Sequence, residues 1–192
     1  GEIAASSEYG TAIGITGYSV AGNTTVSNSG SIDATGYYGA YGIAAQSYLG
    51  DVTVTNSAGG DVHASAPSYA YGVFASADGD VTINNAGVIS ASADADGHAA
   101  AVLMESLYGS STLNNAATGN ISVVGTDGYA FAVLGSDAVD TINNNGRITG
   151  ALALYGGNDV FNNRSGGVWS TGGTLSTDFG DGNDTINNLA GG

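Results

Sequence analysis

The 192-residue chain has no cysteine, no lysine, a single proline and no apolar run approaching the length of a membrane-spanning helix. Without cysteine there is no disulfide framework, thiolate nucleophile or cysteine-ligated metal, although the absence suits a reducing compartment and a secreted chain equally. Arg147 and Arg164 are the only cations against 17 carboxylates, for a net charge of −15. That balance argues against a nucleic-acid partner, because phosphate recognition needs a basic footprint. It would also repel the chain from an anionic membrane surface, and a helical span needs about 18 or more apolar residues in a row. No basic stretch followed by an apolar one opens the sequence, so a secretion signal, if there is one, lies outside it. There is no Gly-Lys element to cradle a phosphate either.

What is present is 33 glycines and one recurring phrase. "VTINNAGVIS" at 81 returns, with changes, as "VSNSGSI" at 26, "VTNSAGGDV" at 54, "LNNAATGNI" at 113, "INNNGRI" at 142, "FNNRSGGV" at 161 and "INNLAGG" at 186. In each unit an apolar residue (Val26, Val54, Ile83, Leu113, Ile142, Phe161, Ile186) stands two before an asparagine. Those asparagines are Asn28, Asn56, Asn85, Asn115, Asn144, Asn163 and Asn188, spaced 28, 29, 30, 29, 19 and 25 residues apart. Periods of about 20 to 50 residues mark a solenoid. A Gly-x-Ile/Val step supplies Ile3, Ile32, Val62, Ile89, Ile121, Ile148 and Val168, and in the first five units an "AYGI"-like segment ends at Ile15, Ile43, Val73, Val102 and Val133.

Three strands of about five residues plus turns fill such a unit and leave no room for a helix of about 10 to 15 residues. The one helix-like stretch, "HAAAVLMESLYG" from His98, places Val102 on the strand register of its neighbours. The spacing therefore predicts an all-β chain, a single parallel β-helix domain over residues 1–192 with about seven coils and three short strands per full coil. Coils about 4.8 Å apart stack equivalent residues into columns. An asparagine column at a corner can pass its side-chain amides from coil to coil, with Asn85 in the ladder and Asn84 pointing out.

Strict alternation then assigns faces. With Ile32 and Ala34 inward, Asp33, His63, Ser90, Ser122, Thr149 and Trp169 point out. In the second strand Ile13, Tyr41, Tyr71, Ala100 and Phe131 are expected inside, and Thr16, Ala44, Phe74, Leu103 and Leu134 outside. Phe74, Leu103 and Leu134 would then form an apolar ridge, either covered by a loop or available as a lateral interface. The 11 tyrosines either bind glycans or proteins from the loops or stack on one another in columns.

The pattern "N-x-G-x-I-x-A … A-Y-G-I … G-D-V-T-V-x-N" resembles the passenger region of Gram-negative autotransporters and related surface adhesins over essentially the whole chain. That resemblance implies a right-handed parallel β-helix exported through the outer membrane to the cell surface or beyond. It also implies a structural or adhesive role as a rigid spacer or fibre. Expected partners are copies of the chain, end to end or side by side, and a host or neighbouring-cell glycan or protein. The lack of cysteine suits a chain threaded unfolded. The family's membrane-anchoring C-terminal barrel is not part of this sequence. The chain opens at "GEI", the same point of the repeat as "GSI" at 30, and stops at "NNLAGG" with no recognisable cap at either end. A segment of a longer solenoid, or a subunit that stacks into a filament, is expected.

A second resemblance is local. "FGDGNDTI" at 179 is similar to the nonapeptide of calcium-binding β-rolls, and "YGGNDVF" at 155 matches it partly, although that family's tandem nine-residue repeats are missing. In stacked register Asp140, Asp159 and Asp184 fall in one column, about 5 Å apart. The resemblance implies calcium, the one cofactor indicated, held by Asp140, Asp159, Asp181 and Asp184 with Asn158, Asn183 and backbone carbonyls in a shell of about six to eight oxygens. Alternatively each aspartate accepts amide hydrogens in its own turn.

Some β-helices cleave polysaccharides, which needs paired carboxylates in a cleft. The nearest set is Asp94, Asp96 and His98 in "DADGH" with Glu105. A solvated loop accounts for that run as well, and neither arginine is close in register, so the sequence predicts no enzyme. A tyrosine-lined trough with carboxylates would favour catalysis, and continuous flat faces a spacer.

Overall fold

The computed structural model describes residues 1–94, 96–125, 129–172 and 176–190. Among these residues every regular element is a strand. The chain winds as a right-handed parallel β-helix of about six turns, with three strands per coil. Three parallel sheets of seven, six and seven strands line the faces. The first begins with Glu2–Ser7, Ser31–Gly36 and Asp61–Ala66, the second with Thr11–Ser19, Gly39–Ser47 and Tyr69–Ala77, the third with Thr24–Asn28, Val52–Asn56 and Val81–Asn85. "HAAAVLMES" is the strand His98–Ser106 of the second sheet.

Each sheet sends one β-branched or long aliphatic column into the core. Ile32, Val62, Ile89, Ile121 and Ile148 come from the first sheet, Ile43, Val73, Val102, Val133 and Leu152 from the second, Val54, Ile83, Leu113, Ile142 and Phe161 from the third. Burying one such side chain stabilises the fold by about 1.5–3 kcal/mol, and β-branching suits the pleat. Where the first and second sheets converge small residues predominate: Ala12, Ala40, Ala70, Ala99 and Ala130 meet Ala34, Ala64 and Ala91, and Val123 continues the latter column.

The second sheet corrects the strict alternation. A Cβ on Gly42 would run into the Val62 side chain and the Gly72 carbonyl, so this position faces the core, and Ile43 beside it is also fully buried. Two inward residues in succession bend the strand and reverse its phase. Ala40, not Tyr41, therefore points inward. Tyr41 lies outside, its ring 5.3 Å from Tyr71 and 5.9 Å from Phe74. Tyr71 and Phe131 are likewise only half-buried, and Ile13 is exposed.

Trp169 is a second correction. It pairs with Ile148, while Val168 pairs with Arg147. The indole thus occupies the Ile column, packs on Phe161 at 5.0 Å and donates its Nε1–H to the Gly150 carbonyl. His63 stays on the outward register, half-buried, with Nδ1 2.9 Å from Ser90 Oγ. The second sheet also gains a sixth strand, Ala151–Ala153, whose register slips between Phe131 and Val133 where the short coil omits one residue.

Candidate functional site

The predicted asparagine column forms. Asn28 Nδ2 donates to Asn56 Oδ1 at 2.9 Å, and the relay continues through Asn85, Asn115, Asn144 and Asn163 to Asn188. The first six are buried and Asn188 is exposed. Their second amide hydrogens reach turn carbonyls, as from Asn85 to Gly87 and from Asn163 to Gly167. The sequence reading missed a second ladder one residue earlier. Asn114 donates to Asn84, Asn143 to Asn114, Asn162 to Asn143 and Asn187 to Asn162, each at 2.9–3.0 Å. The inner relay donates toward the C-terminal coil and the outer one toward the N-terminal coil. The doubled Asn-Asn in five units was the signal for it. The outer row is half-buried, and the Arg164 guanidinium donates to Asn143 Oδ1 at 2.7 Å.

Asp140, Asp159 and Asp184 also stack; Asp140 accepts an amide hydrogen from its own turn, whereas Asp159 and Asp184 accept from the preceding coil. Ser136 N–H donates to Asp140 Oδ2, Asp140 N–H to Asp159 Oδ1 and Asp159 N–H to Asp184 Oδ1, at 2.8–2.9 Å. One oxygen each of Asp140 and Asp159, and the Ser111 hydroxyl in the same column, are buried without a partner. Burial pushes the Asp140 carboxyl up to about 7, against the pull of the Ser136 amide and the dipole of the nearby Ser111 hydroxyl, which falls short of hydrogen-bond geometry. Burial likewise lifts Asp159 to about 6, opposed by the Asp140 amide and reinforced by the charge of Asp184.

Asp181 stands outside this stack, where its backbone bridges to Tyr155 and Gly157, and Asn158 accepts the Asn183 amide. Among the described residues no three acidic or histidine side chains converge on a common metal position.

Melting curves separate proton from cation. Carboxyls raised above their unfolded value of 3.8 bind more protons in the folded state. Their stabilisation is complete below about pH 4 and is lost as pH rises through about 6 to 7. The melting temperature should therefore rise between pH 8 and pH 5, by an amount equivalent to a few kcal/mol. Asp140→Asn should flatten that rise, whereas general relief of the −15 charge would leave it in place. If calcium fills the column instead, chelation at pH 8 lowers the melting temperature, and the double substitution Asp159→Ala with Asp184→Ala removes that dependence.

The set proposed for catalysis is not gathered. His98 and Glu105 lie toward opposite ends of the nine-residue strand His98–Ser106, and His98 stacks on Tyr129 at 4.4 Å. Asp94 and Asp96 flank residue 95, which lies outside the described residues.

The outer face of the second sheet instead carries an open trough of about 1070 Å3 that crosses successive coils from Tyr48 to Asn158. Leu103 and Leu134, two of the expected ridge residues, line it, while Phe74 packs against Tyr41 and Tyr71. The Tyr71 hydroxyl titrates above its ordinary value because of burial and then the Glu105 charge. The tyrosines fall into two groups. Tyr41, Tyr69 and Tyr71 stack on one another, whereas Tyr108 is 82% exposed at the trough rim.

No family model, curated protein or solved structure matches the chain.

Proposed function

We propose that the chain is a structural and adhesive rod, displayed outside a Gram-negative cell or on its outer-membrane surface, with the trough as its contact surface. The observation that carries this reading is the pairing of an unbroken stack of coils, held by two amide ladders, with a large recess along one side. A stack of this kind supplies stiffness and reach. Apolar area left open on a strongly charged chain marks a place where something docks. The resemblance to autotransporter passengers supports the cell-surface setting, where neighbouring copies of the chain and host or neighbouring-cell glycans and proteins are the accessible partners.

A second reading is polysaccharide cleavage, favoured by the carboxylates Asp78, Glu105 and Asp137 beside tyrosines in the same recess. One experiment addresses both. The labelled chain is applied to an array of purified polysaccharides and glycoproteins, and released reducing ends are assayed in parallel. Retention that Tyr108→Ala abolishes, without release of ends, is the expected result. Release that Glu105→Gln stops would establish the enzyme, and retention indifferent to Tyr108 would sink the trough as contact surface.

A further inference from the structure

The chemistry of the recess narrows its occupant. Its long axis follows the solenoid, so four coil-to-coil steps give it a length of roughly 19 Å, which suits an extended polymer. Tyr108 sits on a turn pinned at three points. Leu107 N–H bonds to Ala77 O, Tyr108 N–H to Asp78 O and Gly109 N–H to Ser106 Oγ, at 2.9–3.0 Å. The backbone that carries this exposed ring is thus fixed before any ligand arrives, which lowers the cost of binding. Tyr155, 53% exposed across the recess, holds φ at 65°, a left-handed conformation that tyrosine rarely adopts. With Tyr71 these rings offer flat apolar faces, and Ser136 and Asn158 add hydrogen-bonding groups between them. Ring faces interleaved with polar groups match a sugar chain, whose pyranose rings have C–H faces and hydroxyl edges.

Charge decides which sugar chain. Asp78, Glu105 and Asp137 line the recess, and neither arginine does. Arg164 is engaged at the outer asparagine ladder, and Arg147 lies in the first sheet. Uronates, sulfates and phosphates would be repelled by the site and by the net charge of −15. We propose that the trough binds an extended oligosaccharide bearing free amino groups, its ring faces on Tyr71, Tyr108 and Tyr155 and its ammonium groups against Asp78, Glu105 and Asp137. Ammonium groups near tyrosine faces gain a cation–π contribution as well. This assignment rests on the trough being the contact surface proposed above.

Calorimetry on the full 192-residue chain tests it, at mildly acidic pH where sugar amines are protonated. The probes are a glucosamine hexamer, its fully N-acetylated counterpart, an oligogalacturonate and hexalysine. The glucosamine hexamer should bind at least about tenfold more tightly than the acetylated one, and the galacturonate should not bind. Tyr108→Ala should weaken the glucosamine complex by roughly tenfold. Glu105→Gln and Asp137→Asn should each weaken it and reduce its salt dependence. Hexalysine binding as tightly as glucosamine, with Tyr108→Ala without effect on either, would reduce the trough to a general polycation surface and overturn the proposal. Tyr108-dependent retention of some other polymer on the array, with no glucosamine binding, overturns the ligand class and leaves the contact surface standing. If nothing is held through Tyr108, both fall.

Discussion

Asn115→Leu should destabilise the fold by about 2–4 kcal/mol, whereas Asn114→Leu, one residue away, should cost less than about 1 kcal/mol. Asn115 is fully buried and accepts from Asn85 while donating to Asn144 at 2.8 Å and to the Gly119 and Arg147 carbonyls at 3.3 and 3.2 Å. Leucine leaves those groups short of partners where water cannot follow, and each orphaned buried polar group costs about 1–3 kcal/mol. Asn114 has the same side chain and a similar ladder, but it is half-buried, so solvent replaces what it loses. Thermal or denaturant unfolding of the two variants is the measurement. Equal shifts would mean that the inner and outer rows contribute alike and that burial is not what gives the ladder its value.

Gly87→Ala should be comparably damaging, at several kcal/mol, although it adds one methyl group. A Cβ there would overlap the Gly60 carbonyl and lie 2.7 Å from the Ser57 carbonyl and 2.8 Å from Asn56 Nδ2. Backbone and ladder of the previous coil thus occupy the space, and they move only if the coils separate. Gly59→Ala is the comparison, since Gly59 has φ at 82° and nothing within 4 Å of an added Cβ. It should cost only the left-handed backbone penalty of about 1–2 kcal/mol. If Gly59→Ala proves the worse of the pair, coil-to-coil contact is not what demands glycine after the ladder.

The sequence showed the ladder and the coil period because stacking repeats the same demand in every coil. Asn85 is legible from Asn56 and Asn115 in a way that no lone buried asparagine would be. The same dependence explains the errors. Val168 was aligned with Ile148 by its Gly-x-Val pattern, but the register is shifted by one, and the larger Trp169 fills that column beside Phe161. Tyr41 was placed inside by counting in twos from Ile43, and the count fails at Gly42, where the strand bends. A glycine in a strand can signal such a bend, and its recurrence at Gly14, Gly42 and Gly72 was the available clue.

The candidate sites were less legible. The Asp140–Asp159–Asp184 column could be read, since stacking alone creates it, but which oxygens spend themselves on amides depends on turn geometry. The trough could not be read, because Tyr71, Glu105 with Tyr108, and Asp137 come from three different coils and share no sequence pattern. Their meeting is a property of where the turns project, which the repeat leaves free to vary.

The opposite directions of the two asparagine relays bear on how long such a rod can grow. Every side-chain amide carries a dipole, and a single row aligned head to tail would add one increment per coil, much as peptide units sum along a helix. A lone ladder would therefore polarise its solenoid more strongly with each repeat, with opposite partial charges gathering at the two extremities. Here the inner row from Asn85 to Asn188 and the outer row from Asn84 to Asn187 point in opposite senses over the same coils. Their fields largely cancel at any distance greater than the gap between the rows, so repeats that carry the Asn-Asn pair can be added or lost with little change in polarity, whereas the inner row runs unopposed through Asn28 and Asn56.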